Sequence, residues 1–454
     1  MSSNTEPLRE TAPRTGVDQQ TDTQRIRPVI TASVVGTIIE WYDFFIYGTA
    51  AALVFGKLFF PASSSLAGTM AAFATYAVGF AVRPIGGAVF GHFGDKLGRK
   101  TILITTLAVM GVTTTLIGLL PTYAQIGIWA PALLVVLRMA QGFGAGAEFA
   151  GAAIMAVEYS PVGRRGYFGS WPQIGVAIGL AASSGVFALV GLLPEEAFMS
   201  WGWRVPFIAS ALVLLVGTWI RMRISETPVF QEVQKERKVA RSPLTEVLRN
   251  HPKSFLAVLG MRFADNAVLY IPVAFTLTYL AERGVESSVG LTAVLLASGV
   301  QVATIPLFGA WSDRVGRRMV YGGGAAVSAL LLVPYFLLLD TGNTWLIWLA
   351  VMLLGGLAYS AMAGSQPAFF SELFHPRVRY TGVAGARELG ATVGGFTPLA
   401  ATALLAAYST GLAVAALVIV MCLISVVSVL WAPETRGRRF DVEKPGSSTD
   451  DPLN

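Results

Sequence analysis

"GHFGDKLGRK" fills residues 91–100, and "GAWSDRVGRR" fills residues 309–318. The two phrases align position by position: Gly91, Asp95, Gly98 and Arg99 return as Gly309, Asp313, Gly316 and Arg317. Each phrase is rich in charge, yet the chain is 54% hydrophobic and only 13% charged. A second echo has almost the same spacing. "EYSPVGRRG" (158–166) returns as "ELFHPRVRYTG" (372–382), with Glu158 echoed by Glu372. Two echoes at nearly one offset imply a duplicated unit spanning about half the chain.

Outside these phrases the chain is apolar. Its mean hydropathy is +0.60 over 454 residues. Several runs of about 20 apolar residues are long enough to cross a hydrocarbon core of about 30 Å as helices. A soluble domain would have to bury almost all of this, and a transmembrane barrel would show short alternating segments instead. Apolar runs set against breakers predict twelve spans, near 29–56, 67–90, 101–120, 125–155, 167–192, 203–222, 254–281, 289–310, 319–339, 344–368, 382–407 and 410–431. The expected fold is all-α: twelve transmembrane helices in two six-helix pseudo-repeats. The expected divisions are a tail (1–28), a first half (29–222), a linker (223–252), a second half (253–435) and a second tail (436–454). The polar opening has no apolar h-region, so no cleavable signal peptide is expected.

With the N-terminus inside, about 26 of the 33 basic residues fall on the cytoplasmic side. Lys57, Arg204 and Arg283 fall outside, and four arginines lie within spans. That imbalance fits the positive-inside rule and places both termini in the cytoplasm of a multi-pass protein of the cytoplasmic membrane. The pI of 9.4 therefore reports topology, and nucleic acid is not an expected partner. The single cysteine, Cys422, excludes an intramolecular disulfide and reads as a buried hydrophobe. No nucleotide-binding loop or metal-ligand cluster stands out. His92, His251 and His375 sit at loop edges, so no metal or other cofactor and no enzymatic activity are expected.

Both charged phrases follow the second span of a half. Gly91 and Gly98 permit close packing and a sharp turn. Asp95 and Asp313 can accept hydrogen bonds at a neighbouring helix N-terminus. Arg99, Lys100, Arg317 and Arg318 can pair with acids at facing helix ends, and Glu158 and Glu372 of the second echo are counted with them. Such contacts form when the cytoplasmic ends of the halves meet and break when they part. These residues are read as a cytoplasmic gate.

The charged phrases fit the signature of the major facilitator superfamily: Gly, three residues, Asp, a basic residue, one residue, Gly, then two basic residues. More specifically the chain resembles the metabolite:proton symporter family, closest to its shikimate transporter branch. The resemblance is carried by "IIEWYDFFIYG" (38–48), "VRPIGGAVFGHFGDKLGRK" (82–100), "RMAQGFGAGAE" (138–148), "SWGWRVPF" (200–207), "SETPVF" (225–230) and "SELFHPRVRYTG" (371–382). It extends over roughly residues 30–435. It implies proton-driven uptake of small polar metabolites, organic acids or zwitterionic osmolytes. The chain departs from the family pattern at Arg387-Glu388, and at Asp265, where a Glu is expected.

Nine ionisable residues fall within the expected spans: Glu40, Asp43, Arg83, Arg138, Glu148, Arg262, Asp265, Arg387 and Glu388. A charge near the bilayer centre costs about 2.5–3.5 kcal/mol even on the lenient scale, so these should face a cavity or one another. Arg138, Gln141, Ala145 and Glu148 share one face of the fourth span, and Glu40, Asp43 and Tyr47 share one of the first. A symporter needs a carboxylate that gains and loses a proton, and Asp43, Glu40 and Asp265 are the candidates. An anionic substrate captured by Arg138 would withdraw that cation from the acid and favour proton binding there. Arg suits carboxylate capture because its fork makes two parallel hydrogen bonds. The candidate substrate residues are Arg138, Gln141, Tyr47, Gln173, Arg262, Tyr270 and Arg83. The expected protein is a monomeric proton symporter of an organic anion, working by alternating access. A zwitterion carrier and a non-pumping sensor are the alternatives.

Overall fold

The computed structural model describes residues 16–61, 64–97, 99–146, 149–223, 243–375 and 378–438. Every regular element among them is helical. Nine helices among the described residues are long and apolar enough to cross a membrane. They are α1 (Ser33–Leu58), α2 (Ser65–Phe90), α5 (Arg165–Val190), α7 (Pro252–Glu282), α8 (Ser287–Val315), α9 (Arg317–Asp340), α10 (Thr344–Glu372), α11 (Arg379–Tyr408) and α12 (Gly411–Trp431). Three shorter apolar helices fall where the other spans were expected: α3 (Ile104–Leu119), α4 (Trp129–Ala145) and α6 (Gly202–Thr218). The helix containing α3 runs over Arg99–Leu119, 21 residues, or roughly 31 Å at 1.5 Å per residue.

The packing repeats as the sequence does. In the first six helices α1 lies on α5, α2 on α4, α3 on α4 and α6; in the last six α7 lies on α11, α8 on α10, α9 on α10 and α12. Adding six to each number of the first set gives the second. Two seams join the sets, α5 against α8 and α2 against α11, and these too exchange under the same rule. Even the helix irregularities recur. A π-helical turn at Ala51–Phe55 in α1 has its counterpart at Ile271–Phe275 in α7. In α7 the turn contains Pro272, which lacks the N–H that an α-helical ladder needs.

Close helix approach explains several of the glycines. A Cβ on Gly142 would collide with the carbonyl of Gly79, so α4 and α2 meet backbone to backbone. At the α5–α8 seam a Cβ on Gly309 would lie 2.6 Å from the carbonyl of Gly166. Gly309 opens the second charged phrase; its glycine is needed for contact with the other set of helices. Gly316, at φ 110°, makes the turn between α8 and α9.

Apolar surface remains exposed all round the bundle, at residues such as Leu215, Leu330, Val427 and Leu430. The polar groups are inside instead: Glu40, Asp43, Arg83, Arg138, Arg262, Asp265, Arg387 and Glu388 are all buried. Cys422 is buried in α12, as expected of a small hydrophobe.

Candidate substrate and proton site

Arg138, on α4, has no exposed surface and meets side chains of α1 and α2. Its guanidinium carbon lies 4.2 Å from the ring centres of Phe44 and Tyr47, and 4.7 Å from that of Tyr76. The flat, weakly hydrated guanidinium suits such an aromatic box. Gly79 makes room for it, since a Cβ there would strike the Arg138 side chain. One nitrogen, Nη1, donates to Gln141 Oε1 at 2.5 Å. The other two, Nε and Nη2, have no hydrogen-bond partner among the described residues. They form one edge of the planar group, and that edge fits the two oxygens of a carboxylate. Arg317 uses the same two nitrogens in this way, donating to both oxygens of Glu372 at 3.1 and 3.3 Å.

Gln141 connects this arginine to an acid. Its Nε2 donates to Thr114 Oγ1 at 2.7 Å and to the Asp43 carbonyl at 3.3 Å. Thr114 Oγ1 lies 3.2 Å from Asp43 Oδ2, and the Ser210 hydroxyl donates to Asp43 Oδ1 at 2.6 Å. Among the described residues no cation pairs with Asp43, and no ion pair joins it to Arg138. The link between them runs through Gln141 and Thr114.

The expected shared face of α1 therefore diverges. Asp43 turns to α3 and α6, Glu40 lies 3.5 Å from Arg83 Nη2 on α2, and the Tyr47 hydroxyl pairs with Thr75 at 2.5 Å. A step of three residues rotates a helix by about −60°, enough to aim neighbours on one broad face at different helices.

The other candidates lie in the last six helices or on the seams. Arg262 is ion-paired with Asp265 one turn along α7, and donates to Asn266 Oδ1 at 2.7 Å. Asp265 is thus charge-compensated where Asp43 is not. Arg83 donates to Glu388 Oε2 at 2.8 Å, so the Arg387-Glu388 pair belongs to a cross-seam cluster. Tyr270 packs edge-on against Tyr76 and Phe80 with its buried hydroxyl unpartnered among the described residues. Gln173 donates to Gln366 across the bundle at 2.9 Å. Thr114, Ser210, Phe44, Tyr76, Gly79 and Gln366 were not singled out in the sequence. In an apolar run a lone hydroxyl, ring or glycine reads as packing, and only its three-dimensional neighbours show otherwise.

At the charged-loop end several contacts among the described residues tie the two sets of helices together. Asp313 accepts from the backbone N–H groups of Gly166 and Tyr167, at 2.8 and 2.9 Å, in the first turn of α5. This is the helix N-terminus contact expected of the acid. Arg317 donates to Asp313 at 2.7 Å as well as to Glu372. Glu158 accepts from Arg379 at 2.7 Å. Arg318 departs from expectation: it donates to the carbonyls of Val429 and Leu430 at the end of α12, and no acid accepts from its guanidinium among the described residues. Those carbonyls lack intrahelical partners, which makes them ready acceptors. Gly98 lies outside the described residues, as do the side-chain surroundings of Gly91, Asp95, Arg99 and Lys100, and Glu148.

The profile described as "Sugar (and other) transporter" matches residues 29–257, and that described as "Major Facilitator Superfamily" matches 255–449. The Escherichia coli (strain K12) shikimate transporter is 39% identical over 413 residues, covering 89% of this chain and 94% of that protein.

The chain belongs to the major facilitator superfamily.

Among other members of the superfamily, the proline/betaine transporter of Escherichia coli (strain K12) is 33% identical over 438 residues, covering 94% of this chain and 87% of its own. A crystal structure of a D-xylose-proton symporter matches with a TM-score of 0.68 at 17% identity, over 90% of this chain and 98% of that one. At that identity the likeness speaks to the superfamily fold alone. The relatives are transporters, and the all-helical architecture of the described residues is that of this fold.

Proposed function

We propose that the chain imports a small organic anion together with a proton, by alternating access, in the cytoplasmic membrane. The carrying observation is the unpartnered Nε–Nη2 edge of Arg138, wholly buried in an aromatic box and linked through Gln141 and Thr114 to Asp43. In this reading a substrate carboxylate takes Nε and Nη2 of Arg138. Tyr270, Gln173, Gln366, Arg262 and Arg83 are then the candidates for contacting the rest of it.

Asp43 is the acid best suited to carry the proton. Glu40 and Asp265 have arginine partners, and Asp43 is held by hydroxyls. The Thr114 hydroxyl has one proton and two acceptors in reach, Met110 O at 2.8 Å and Asp43 Oδ2 at 3.2 Å. A protonated Asp43 would donate to Thr114 and resolve that competition. Capture of an anion by Arg138 would tighten or release Gln141, and so alter what Thr114 offers to Asp43.

The reading includes twelve crossings with both termini cytoplasmic, and two six-helix halves, 29–222 and 253–435, joined by the linker 223–252. The charged phrases then form the cytoplasmic gate, and the contacts of Asp313 and Arg317 are read as its closed arrangement. A zwitterion carrier is the second reading, supported by the 33% identical proline/betaine transporter. Against it, the aromatic faces a quaternary ammonium would need are covered by Arg138 itself. The test is uptake into proteoliposomes of a panel of labelled organic acids and betaines, with an imposed pH gradient and with or without a protonophore. Gradient-driven uptake of an acid, abolished by the protonophore, is expected. Uptake of betaines alone would give the second reading. A sensor would show neither uptake nor counterflow.

A further inference from the structure

The α2–α11 seam contains four buried charges that the proton and substrate readings do not use together. Glu40 and Arg83 belong to the first six helices, Arg387 and Glu388 to the last. They are 2%, 1%, 4% and 5% exposed, so a charge left alone among them would be strongly penalised. Across the seam, Arg83 Nε donates to Glu388 Oε2 at 2.8 Å. Within each side a second partner is in place. Arg83 Nη2 lies 3.5 Å from Glu40 Oε1, and Arg387 Nη1 donates to Glu388 Oε1 at 2.6 Å. The phenyl rings of Phe44 and Phe80 lie 5.1 and 5.7 Å from the Arg83 guanidinium and hold it on its own side. Next to the pair, Thr392 Oγ1 is 3.1 Å from the Phe80 carbonyl, a second polar tie across this seam.

We propose that Arg83 and Glu388 are a partner-exchange latch: paired across the seam when the charged-loop end is closed, and handed back to Glu40 and Arg387 when it opens. Breaking a buried ion pair by removing one partner is normally prohibitive. Here each charge retains a counter-ion on its own helix set, so the seam can part without stranding either. The cross-seam ion pair is the shorter of the two ion pairs made by Arg83, which favours closure, while Nη2 also donates to the Ala145 carbonyl on its own side at 3.5 Å. The in-side contacts lower the cost of leaving it. Glu388 is therefore a positioning residue for the conformational cycle; it is assigned no contact with substrate. The inference rests on the alternating-access reading above.

The test measures distance rather than transport. Spin labels on Arg164→Cys and Arg314→Cys, both exposed and on opposite sets of helices, report opening of the charged-loop end in a Cys422→Ser background. Glu388→Gln should raise the ratio of open to closed distances by roughly tenfold, because the latch is lost while Arg83 keeps Glu40. Glu40→Gln should shift the ratio the other way, because opening then strands Arg83. Glu388→Asp should restore most of the closed population; if Glu388→Gln does not fold, Glu388→Asp and Glu40→Gln still give opposite shifts. A purely structural pair would lower thermal stability in both variants with no opposed shift. Unchanged distances, or shifts in the same direction, overturn the latch. No substrate or gradient enters this measurement, so failure to find a transported acid would overturn the transport reading and leave this result separate.

Discussion

Asp43 in α1 and Asp265 in α7 both lie shortly before the matching π-helical turns, yet they are held in opposite ways. Asp43 is bound by the hydroxyls of Ser210 and Thr114. Asp265 is ion-paired with Arg262. One turn before the acid, α1 carries Glu40 where α7 carries Arg262. The sign of that one neighbouring charge gives two similarly placed acids different chemistry.

That difference predicts different defects. Asp43→Asn should abolish pH-driven accumulation while leaving substrate exchange partly intact, since exchange needs binding and alternating access without net proton movement. Asp265→Asn should instead destabilise the protein by about 3–5 kcal/mol, because it leaves Arg262 buried without its counter-ion. Exchange assays and thermal unfolding in detergent, on both variants, check this. Accumulation against a gradient by Asp43→Asn would remove Asp43 from coupling.

Arg138→Lys keeps the charge and loses the planar edge. Uptake of a carboxylate should fall at least about tenfold, with the loss in affinity, because an ammonium cannot make the paired hydrogen bonds or stack between Phe44 and Tyr47. Near-normal affinity would place the substrate anion elsewhere, on Arg83 or Arg262.

Gly79→Ala tests the room left for that arginine. The added methyl would strike the Arg138 side chain near Nε, the edge reserved for substrate. The expected outcome is a loss of binding of roughly tenfold or more, comparable with loss of the bidentate contact itself. Equilibrium binding by the purified variant measures it, with circular dichroism confirming the helices. Unchanged binding would mean that this edge does not meet the substrate.

Asp313→Asn replaces a carboxylate that accepts from Gly166 N, Tyr167 N and Arg317 with an amide that lacks the charge. Charge-assisted hydrogen bonds are roughly twice as strong as neutral ones, so closure of the charged-loop end should weaken. Turnover should fall more than substrate binding, and cysteines placed at that end should become more reactive. Wild-type turnover would reduce the phrase to a topology signal.

The helices, the apolar runs and the duplication are legible in the chain without coordinates, because each is local or periodic. An apolar run long enough for a bilayer states itself, and so does a charged phrase at 91–100 that returns at 309–318. Asp43, Arg138 and Asp313 stand out for the same reason, since a charge within or beside an apolar run has few bland explanations. Their partners are another matter. Thr114 and Ser210 are 71 and 167 residues from Asp43, and Glu388 is 305 from Arg83. Spacing along a helix says which residues share a broad face; which neighbouring helix each side chain meets depends on how the helices pack. That packing gave Glu40 the arginine of a neighbouring helix and left Asp43 to hydroxyls, whereas Asp265 takes its arginine from three residues earlier on its own helix, a pairing the sequence already places on one face.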